Sequence, residues 1–235
     1  MNMTEFKQIS HRLKAIASFI KPHTVIADIG SDHAYLPSFV CLQDETIKAI
    51  AGEVSPGPFE SAKKTVNMYN LQDRIDVRLG SGLSVLTEDD NVSTIVIAGM
   101  GGGLIASILT DGKSILPRVE RLILQPNTNG YIVRKTLLEN GFTLTAETLV
   151  DENEHIYEII VADRLTKEPS PLTEQELLFG PFLKEEKSDI FKKKWQAEYD
   201  KLNYVMEQLK KSKTDTSEEL QRYERKANWM EEILS

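Results

Sequence analysis

Between residues 24 and 140, short apolar runs alternate with segments in which apolar residues recur every three or four positions. The runs predict buried strands, and the longer spacing predicts amphipathic helices. The predicted strands cover residues 24–29, 49–54, 75–80, 93–99 and 121–126, with helices over 36–43, 57–69, 102–110 and 130–140, and a leading helix over 5–19. Strands that alternate with helices indicate a parallel sheet with right-handed crossovers.

Two strands then follow each other with no helix between them. They cover residues 142–150 and 155–163, and the segment "DENE" between them has the composition of a turn. One of these late strands must therefore run antiparallel. The pattern predicts an α/β fold with a Rossmann-like, mostly parallel sheet that ends in an antiparallel strand.

The composition changes beyond residue 170, where no strand pattern remains and Lys, Glu and Gln are frequent. Apolar residues at helical spacing run to Leu209, and "KSKTDTSEE" (211–219) predicts a turn and a new helix start capped by Thr216 or Ser217. We therefore expect two domains, residues 1–168 and residues 169–235, the second an antiparallel, coiled-coil-like helical hairpin. This hairpin is either a solvated appendage or a substrate-contacting element.

Bulk composition narrows the function classes. The 235 residues carry a net charge of −8, which disfavours a protein whose whole surface binds nucleic acid but leaves room for a local basic patch. The chain has a single cysteine, Cys41, so it can form neither an internal disulfide nor a cysteine zinc cluster. No run of 18 apolar residues exists, and the N-terminus lacks a signal-peptide core. We expect a cytoplasmic, metal-free monomer without a membrane segment.

The segment "ADIGSDHAYLP" (27–37) places acids where the first predicted sheet strand ends. Asp28 precedes Gly30, and Asp32 follows in the same loop, at the edge where open α/β sheets bind ligands. A dinucleotide site would need G-x-G-x-x-G around a pyrophosphate, and carboxylates repel phosphate. S-adenosylmethionine carries an ammonium and a sulfonium but no phosphate. The segment therefore favours this methyl donor over NAD, although a structural loop is the alternative for the motif taken alone.

Three further segments lie at the ends of the next three predicted strands. Glu53, followed by Val54, is placed to accept hydrogen bonds from ribose hydroxyls. "RLGSGL" allows a close backbone approach to adenine, and "IAGMGGGLI" lies where the methyl acceptor must meet the donor. Each segment has an alternative interpretation. Glu53 could be a solvated charge at a strand end, and "RLGSGL" a plain glycine-rich turn. "IAGMGGGLI" could be a phosphate cradle, although it lacks the Lys-Ser/Thr of a P-loop. The four segments together predict the methyltransferase crevice more strongly than any one alone.

The segments "ADIGSDHAYLP", "AIAGEVSPGPFESA", "RLGSGL", "IAGMGGGLI", "LILQPN" and "HIYEIIVAD" closely resemble the bacterial TrmK family. Members of this family are tRNA methyltransferases that modify N1 of adenosine 22, with a class I methyltransferase fold. The resemblance covers residues 8 to 165 in register, whereas the C-terminal helices match the family in kind. One departure is Ser81, where the family often has Asp between two glycines; backbone contacts to adenine survive this change, and a carboxylate contact is lost or weakened.

The resemblance implies a role for each segment. The cofactor would be bound by Asp28, Gly30, Ser31, Asp32, His33, Glu53, Val54, Gly80, Ser81, Gly82, Ala98, Gly99, Met100 and Gly101. N1 of adenine has a lone pair and needs no prior deprotonation, so His33 is not required as a base. Asp28 is the candidate catalytic residue, because transfer leaves positive charge on the base. Tyr35 either stacks on the extruded base or packs in the core.

Candidate tRNA contacts are dispersed along the chain. Arg12 lies near the N-terminus, and "FKKKW" (191–195) contributes Lys192, Lys193 and Lys194, which could equally form a solvated face. Acidic residues slightly outnumber basic ones after residue 170, so any RNA-binding face requires that charges segregate around the helices. Two alternatives remain open: methylation of another RNA, a protein or a small molecule, and a non-catalytic RNA-binding protein with a relict cofactor fold.

Overall fold

The computed structural model describes residues 9–165, 170–211 and 217–235. Contacts divide the chain into two compact units, Met1–Pro171 and Leu172–Ser235. The expected boundary between residues 168 and 169 lies outside the described residues, as do the first residues of the predicted leading helix and the Thr216 cap. The described part of that helix is α1 (His11–Ala17), whose start is capped by the Ser10 side chain.

A seven-stranded sheet organises the first unit, in the order β3-β2-β1-β4-β5-β7-β6. The strands are β1 (Val25–Ile29), β2 (Lys48–Glu53), β3 (Ile75–Leu79), β4 (Thr94–Gly101), β5 (Arg121–Thr128), β6 (Thr143–Glu152) and β7 (His155–Asp163). The first five pair in parallel, and β7 runs antiparallel to both β5 and β6. The mostly parallel sheet with a terminal antiparallel hairpin is thus confirmed. Strand order reverses between β1 and β4, and that is where such sheets open a ligand crevice.

Helices between the strands cover the sheet. They are α2 (Tyr35–Gln43), α3 (Pro56–Met68), α4 (Gly102–Asp111) and α5 (Gly130–Glu139), each within two residues of its predicted bounds. Consecutive residues of β1 and β4, such as Ile26 with Ala27 and Ile95 with Val96, are fully buried. Burial of both strand faces explains why the sequence shows continuous apolar runs rather than alternation.

The β6–β7 hairpin closes through a turn of two residues rather than the four of "DENE". Asn153 and Glu154 have φ of 53° and 65°. Two successive residues with positive φ are typical of the tight turns whose twist matches paired antiparallel strands. Strand β6 consequently extends to Glu152.

A buried ion triad joins α5 to this hairpin. The Arg134 guanidinium donates from Nε to Glu147 at 2.7 Å and from a terminal nitrogen to Glu158, and the side chains of Arg134 and Glu147 are fully buried. Gly130 makes room for the triad, since a Cβ there would lie 2.8 Å from a Glu158 carboxylate oxygen. The Arg134 guanidinium therefore compensates charge on both carboxylates.

We expect Arg134→Met to lower the free energy of unfolding by about 3–5 kcal/mol, because it removes the guanidinium that pairs with two buried carboxylates. Urea denaturation of the purified protein measures this loss. Arg118→Met is the matched control, since Arg118 pairs with Glu88 at 2.6 Å on the surface, where a pair contributes about 1 kcal/mol or less. Equal effects of the two substitutions would show that the triad has no special role in stability.

The second unit consists of helices alone in its described part. They are α6 (Glu174–Phe179), α7 (Pro181–Glu186), α8 (Asp189–Lys210) and α9 (Ser217–Leu234). Phe179, Phe191 and Trp195 form an aromatic cluster, and α8 packs on α9. The helical pair is confirmed, but the apolar spacing before Leu209 had indicated one helix, and the structure divides it into three. Gly180, with φ of 84°, and Lys187, with φ of 48°, make the two breaks.

Candidate active site

Asp28 lies near the end of β1, at the carboxyl edge of the sheet, and is only 4% exposed. Its carboxylate accepts a 2.6 Å hydrogen bond from the Ser31 hydroxyl. Burial raises the pKa of Asp28 to about 7, the Glu53 and Asp32 carboxylates contribute to the rise, and the Ser31 hydrogen bond and the Arg12 charge oppose it. Asp28 therefore changes charge near neutral pH, as functional carboxylates in clefts often do.

Gly30 turns the chain out of β1 with a φ of +71°. This φ favours glycine, because a residue with a Cβ would be strained here and would also have to displace the terminal methyl group of Met100. The amides of Gly30 and Ser31 both donate to the Gly52 carbonyl oxygen, at 2.9 and 3.2 Å. These bonds attach the loop after β1 to the end of β2.

Asp32, His33 and Ala34 continue this loop in an unusual backbone conformation. All three have positive φ, of 43°, 69° and 55°. Such conformations are unfavourable for residues with a Cβ and are concentrated at functional sites. His33 lies 3.4 Å from the exposed Asp32 carboxylate, and its ring stacks on Tyr35 at 5.3 Å. Tyr35 is half-buried, so part of it packs against the protein and part of it is open to solvent.

Glu53 lies at the end of β2 and is 5% exposed. Its Oε1 atom has no hydrogen-bond partner within the described part of the chain. Burial raises the pKa of Glu53, and a backbone hydrogen bond from Asp32 counteracts the rise. A buried carboxylate oxygen without a donor is costly. It fits a ligand that supplies hydroxyl donors, such as the ribose of S-adenosylmethionine.

Apolar side chains flank this carboxylate and remain unusually open to solvent. Val54 is 67% exposed and Leu79 is 52% exposed. The Gly80 amide donates to the Glu53 carbonyl oxygen at 2.8 Å, which holds the Gly80–Gly82 loop beside them. Ser81 is exposed within that loop. A planar apolar group such as adenine would cover Val54 and Leu79.

The glycine-rich end of β4 forms the opposite edge of the crevice. Its pairing with β5 is irregular between Ala98 and Met100, and Gly99 between them has a φ of +76°. Gly102 packs so closely that a Cβ would lie 2.4 Å from the Asn129 carbonyl oxygen. At that position the glycine is required by helix packing, which explains it without a phosphate cradle.

Two side chains that the sequence pattern did not single out hold this edge. Gln125 is buried, accepts from the Gly99 amide at 3.0 Å and donates to Asn127 at 3.0 Å. Asn127 in turn donates to the Gly99 carbonyl oxygen at 2.8 Å. The available signal was a polar residue, Gln125, following the apolar run of β5.

The structure brings most of the predicted site residues together. The fourteen expected cofactor residues all lie at the carboxyl ends of β1 to β4 or in the loops that follow. Arg12 reaches the same edge, where its guanidinium donates to Gln125. Lys192 and Lys193 are exposed on α8 in the second unit, and Lys194 lies 5.3 Å from the Trp195 ring. None of the described residues forms a cluster of three or more potential metal ligands.

Comparison with known proteins decides the family. The family model described as "TrmK: tRNA (adenine(22)-N(1))-methyltransferase" matches residues 26–232. This chain belongs to that family. The TrmK-type tRNA (adenine(22)-N(1))-methyltransferase of Bacillus subtilis is 41% identical over 232 residues, which are 97% of this chain and 96% of the relative.

Solved structures agree with the TrmK assignment. The putative tRNA (m1A22) methyltransferase Sp1610 of Streptococcus pneumoniae, in complex with S-adenosyl-L-methionine, is 41% identical with a TM-score of 0.87. That match covers 97% of this chain and all of the other. The B. subtilis TrmK structure is 37% identical with a TM-score of 0.88, over 98% of this chain and 100% of that one. Within residues 9–165, 170–211 and 217–235, no helix is long and apolar enough to cross a membrane.

Proposed function

We propose that the protein transfers a methyl group from S-adenosylmethionine to N1 of adenosine 22 in tRNA. The observation that carries the proposal is the acid-lined crevice of a TrmK-family chain, in which a buried Glu53 oxygen has no hydrogen-bond partner among the described residues. Mass spectrometry of nucleosides from incubated tRNA tests it, with 1-methyladenosine as the expected product. A different methylated nucleoside would redirect the proposal to another acceptor.

The crevice residues suit the parts of the cofactor. When bound, S-adenosylmethionine supplies a methyl group on a positively charged sulfur. The Asp28 and Asp32 carboxylates would attract its cationic end, with Gly30, Ser31 and His33 shaping the loop around it. Glu53 would accept from the ribose hydroxyls, and Val54 with the Gly80–Gly82 loop would enclose the adenine.

The acceptor side requires positioning rather than proton removal. Residues 98–101 would form the wall that faces N1, and Tyr35 would stack on a base extruded from the folded tRNA. Asp28 would stabilise the positive charge that develops on adenine, or hold its exocyclic amine. Because N1 needs no deprotonation, this chemistry requires no metal ion, and we propose a metal-free enzyme that acts as a cytoplasmic monomer.

We propose that residues 1–168 would bind the cofactor and the base, with Arg12 as a further tRNA contact, and that residues 169–235 would contact tRNA through α8. Arg12 and the lysines of "FKKKW" are the candidate RNA contacts. Their charges would pair with the phosphate backbone.

Charge reversal of Lys192, Lys193 and Lys194 together to Glu tests the second assignment. We expect the KM for tRNA to rise about 10-fold or more, with a shallower salt dependence and no change in cofactor affinity. The matched control reverses three exposed lysines of the first unit, Lys48, Lys63 and Lys113. An unchanged KM in the α8 variant would leave the hairpin as a structural appendage.

A further inference from the structure

Arg12 is held in one orientation at the crevice by contacts from other elements. One terminal nitrogen donates to the side-chain oxygen of Gln125, at 2.5 Å, and the guanidinium carbon lies 5.0 Å from the Tyr157 ring centroid. A hydrogen bond combined with an aromatic face restricts a side chain that would otherwise sample many rotamers.

Gln125 connects this arginine to the edge of β4. Its side-chain oxygen is shared between Arg12 and the Gly99 amide, and Asn127 fixes its amide nitrogen. Gly99 lies directly under the guanidinium, since a Cβ there would be 3.3 Å from an Arg12 terminal nitrogen. The network therefore places the charge of Arg12 over the segment that separates donor from acceptor.

The bonding capacity of Arg12 is largely unused. A guanidinium has five N–H donors. Among the described residues, the Arg12 side chain donates one hydrogen bond, to Gln125. No described carboxylate comes within 4 Å of it. The backbone amides at the start of α1 cannot bind an anion in place of the guanidinium, because the amides of His11 and Arg12 already donate to Glu152.

We propose that Arg12 binds an oxyanion in the crevice and that Gln125 is its positioning residue. The proposal rests on the proposed function, which supplies two oxyanions. One is the carboxylate of the cofactor's methionine part, and the other is a phosphate next to the extruded adenosine. Both suit the planar fork of a guanidinium, and the acids Asp28, Asp32 and Glu53 would repel either one.

The binding of two ligands and the KM for tRNA distinguish the cofactor carboxylate from the tRNA phosphate. S-adenosylhomocysteine carries the carboxylate, whereas 5′-methylthioadenosine has the same nucleoside and thioether without the amino acid. Calorimetry gives both Kd values and methyl transfer gives the KM for tRNA, for wild type, Arg12→Gln, Gln125→Leu and the control Lys48→Gln. Lys48 is an exposed lysine at the start of β2, so its replacement matches the charge change.

If the oxyanion is the carboxylate, Arg12→Gln should weaken the binding of S-adenosylhomocysteine about 10- to 100-fold relative to that of methylthioadenosine. If it is the phosphate, the KM for tRNA should rise by that factor and the Kd ratio should stay constant. Gln125→Leu should change the same quantity in the same direction, by less, while methylthioadenosine binding confirms an intact fold.

Changes in Arg12→Gln no larger than those in Lys48→Gln would overturn the oxyanion site. A Gln125→Leu variant that matches wild type in both quantities would overturn its positioning role. Wild-type protein that neither binds S-adenosylhomocysteine nor methylates tRNA would instead contradict the proposed function itself.

Discussion

Replacement of Asp28 by Asn is expected to lower kcat for tRNA methylation by about 100- to 1,000-fold, the usual cost of removing a group that stabilises transition-state charge. The two side chains have the same size, and the Ser31 hydroxyl can still donate to the Asn oxygen. The loss would therefore report the missing charge. Single-turnover methyl transfer at saturating cofactor and tRNA measures it, with the exposed Asp73→Asn as the control.

The raised pKa of Asp28 gives the same residue a pH signature. Because the carboxylate is the form that stabilises a cation, kcat/KM should rise with pH through a midpoint of about 7 in the free protein. Binding of the cationic cofactor favours the carboxylate, so the corresponding midpoint in kcat should lie lower. A wild-type rate independent of pH between 5 and 8, or an Asp28→Asn variant with normal kcat, would exclude the catalytic role.

Stability should change in the opposite direction to activity. Between its unfolded and its native pKa, an acid with a raised native pKa is protonated in the folded chain but ionised in the unfolded chain. Stability therefore falls as pH rises from about 4 through about 7. At pH 8 the Asn variant should unfold with a free energy higher by on the order of 2–4 kcal/mol, which separates lost catalysis from lost folding.

Replacement of Glu53 by Ala is expected to weaken S-adenosylhomocysteine binding about 100-fold. The substitution removes the carboxylate that would accept charge-assisted hydrogen bonds from two ribose hydroxyls. At saturating cofactor kcat should remain close to wild type, because the ribose lies away from the reacting atoms. Calorimetry measures the Kd. Glu60→Ala, at an exposed acid on α3, is the control.

The folded state provides an internal check on Glu53. Its Oε1 is buried and has no hydrogen-bond partner among the described residues, so Glu53→Ala removes a desolvation cost together with the Asp32 hydrogen bond, and the free energy of unfolding should change little. Weakened binding together with an equally weakened fold would indicate that Glu53 supports the structure rather than the ribose.

Asp28 and Glu53 could be predicted as site candidates from the sequence, because a carboxylate at the end of an apolar strand is a local signal. Parallel strands then bring such ends to one edge of the sheet. The Arg12–Gln125 contact could not be found this way, because it joins residues 113 positions apart. The positive φ of Asp32, His33 and Ala34 was equally hidden, since no residue type there demands it and the packed loop imposes it.

The division of the predicted C-terminal helix has two different explanations. Gly180 and Pro181 form a visible break, in which glycine supplies positive φ and proline begins the next helix. The apolar spacing continued across this break and concealed it. Lys187 adopts a left-handed conformation without glycine or asparagine, so the second break carries no sequence signal.

The central claim is tested most directly by methyl transfer from labelled S-adenosylmethionine to a tRNA transcript with adenosine at position 22, beside the same transcript with guanosine there. The account predicts label in the first transcript and none in the second. Equal labelling of both would contradict the assigned nucleotide. Label in neither, from a protein that binds the cofactor, would contradict tRNA as the acceptor.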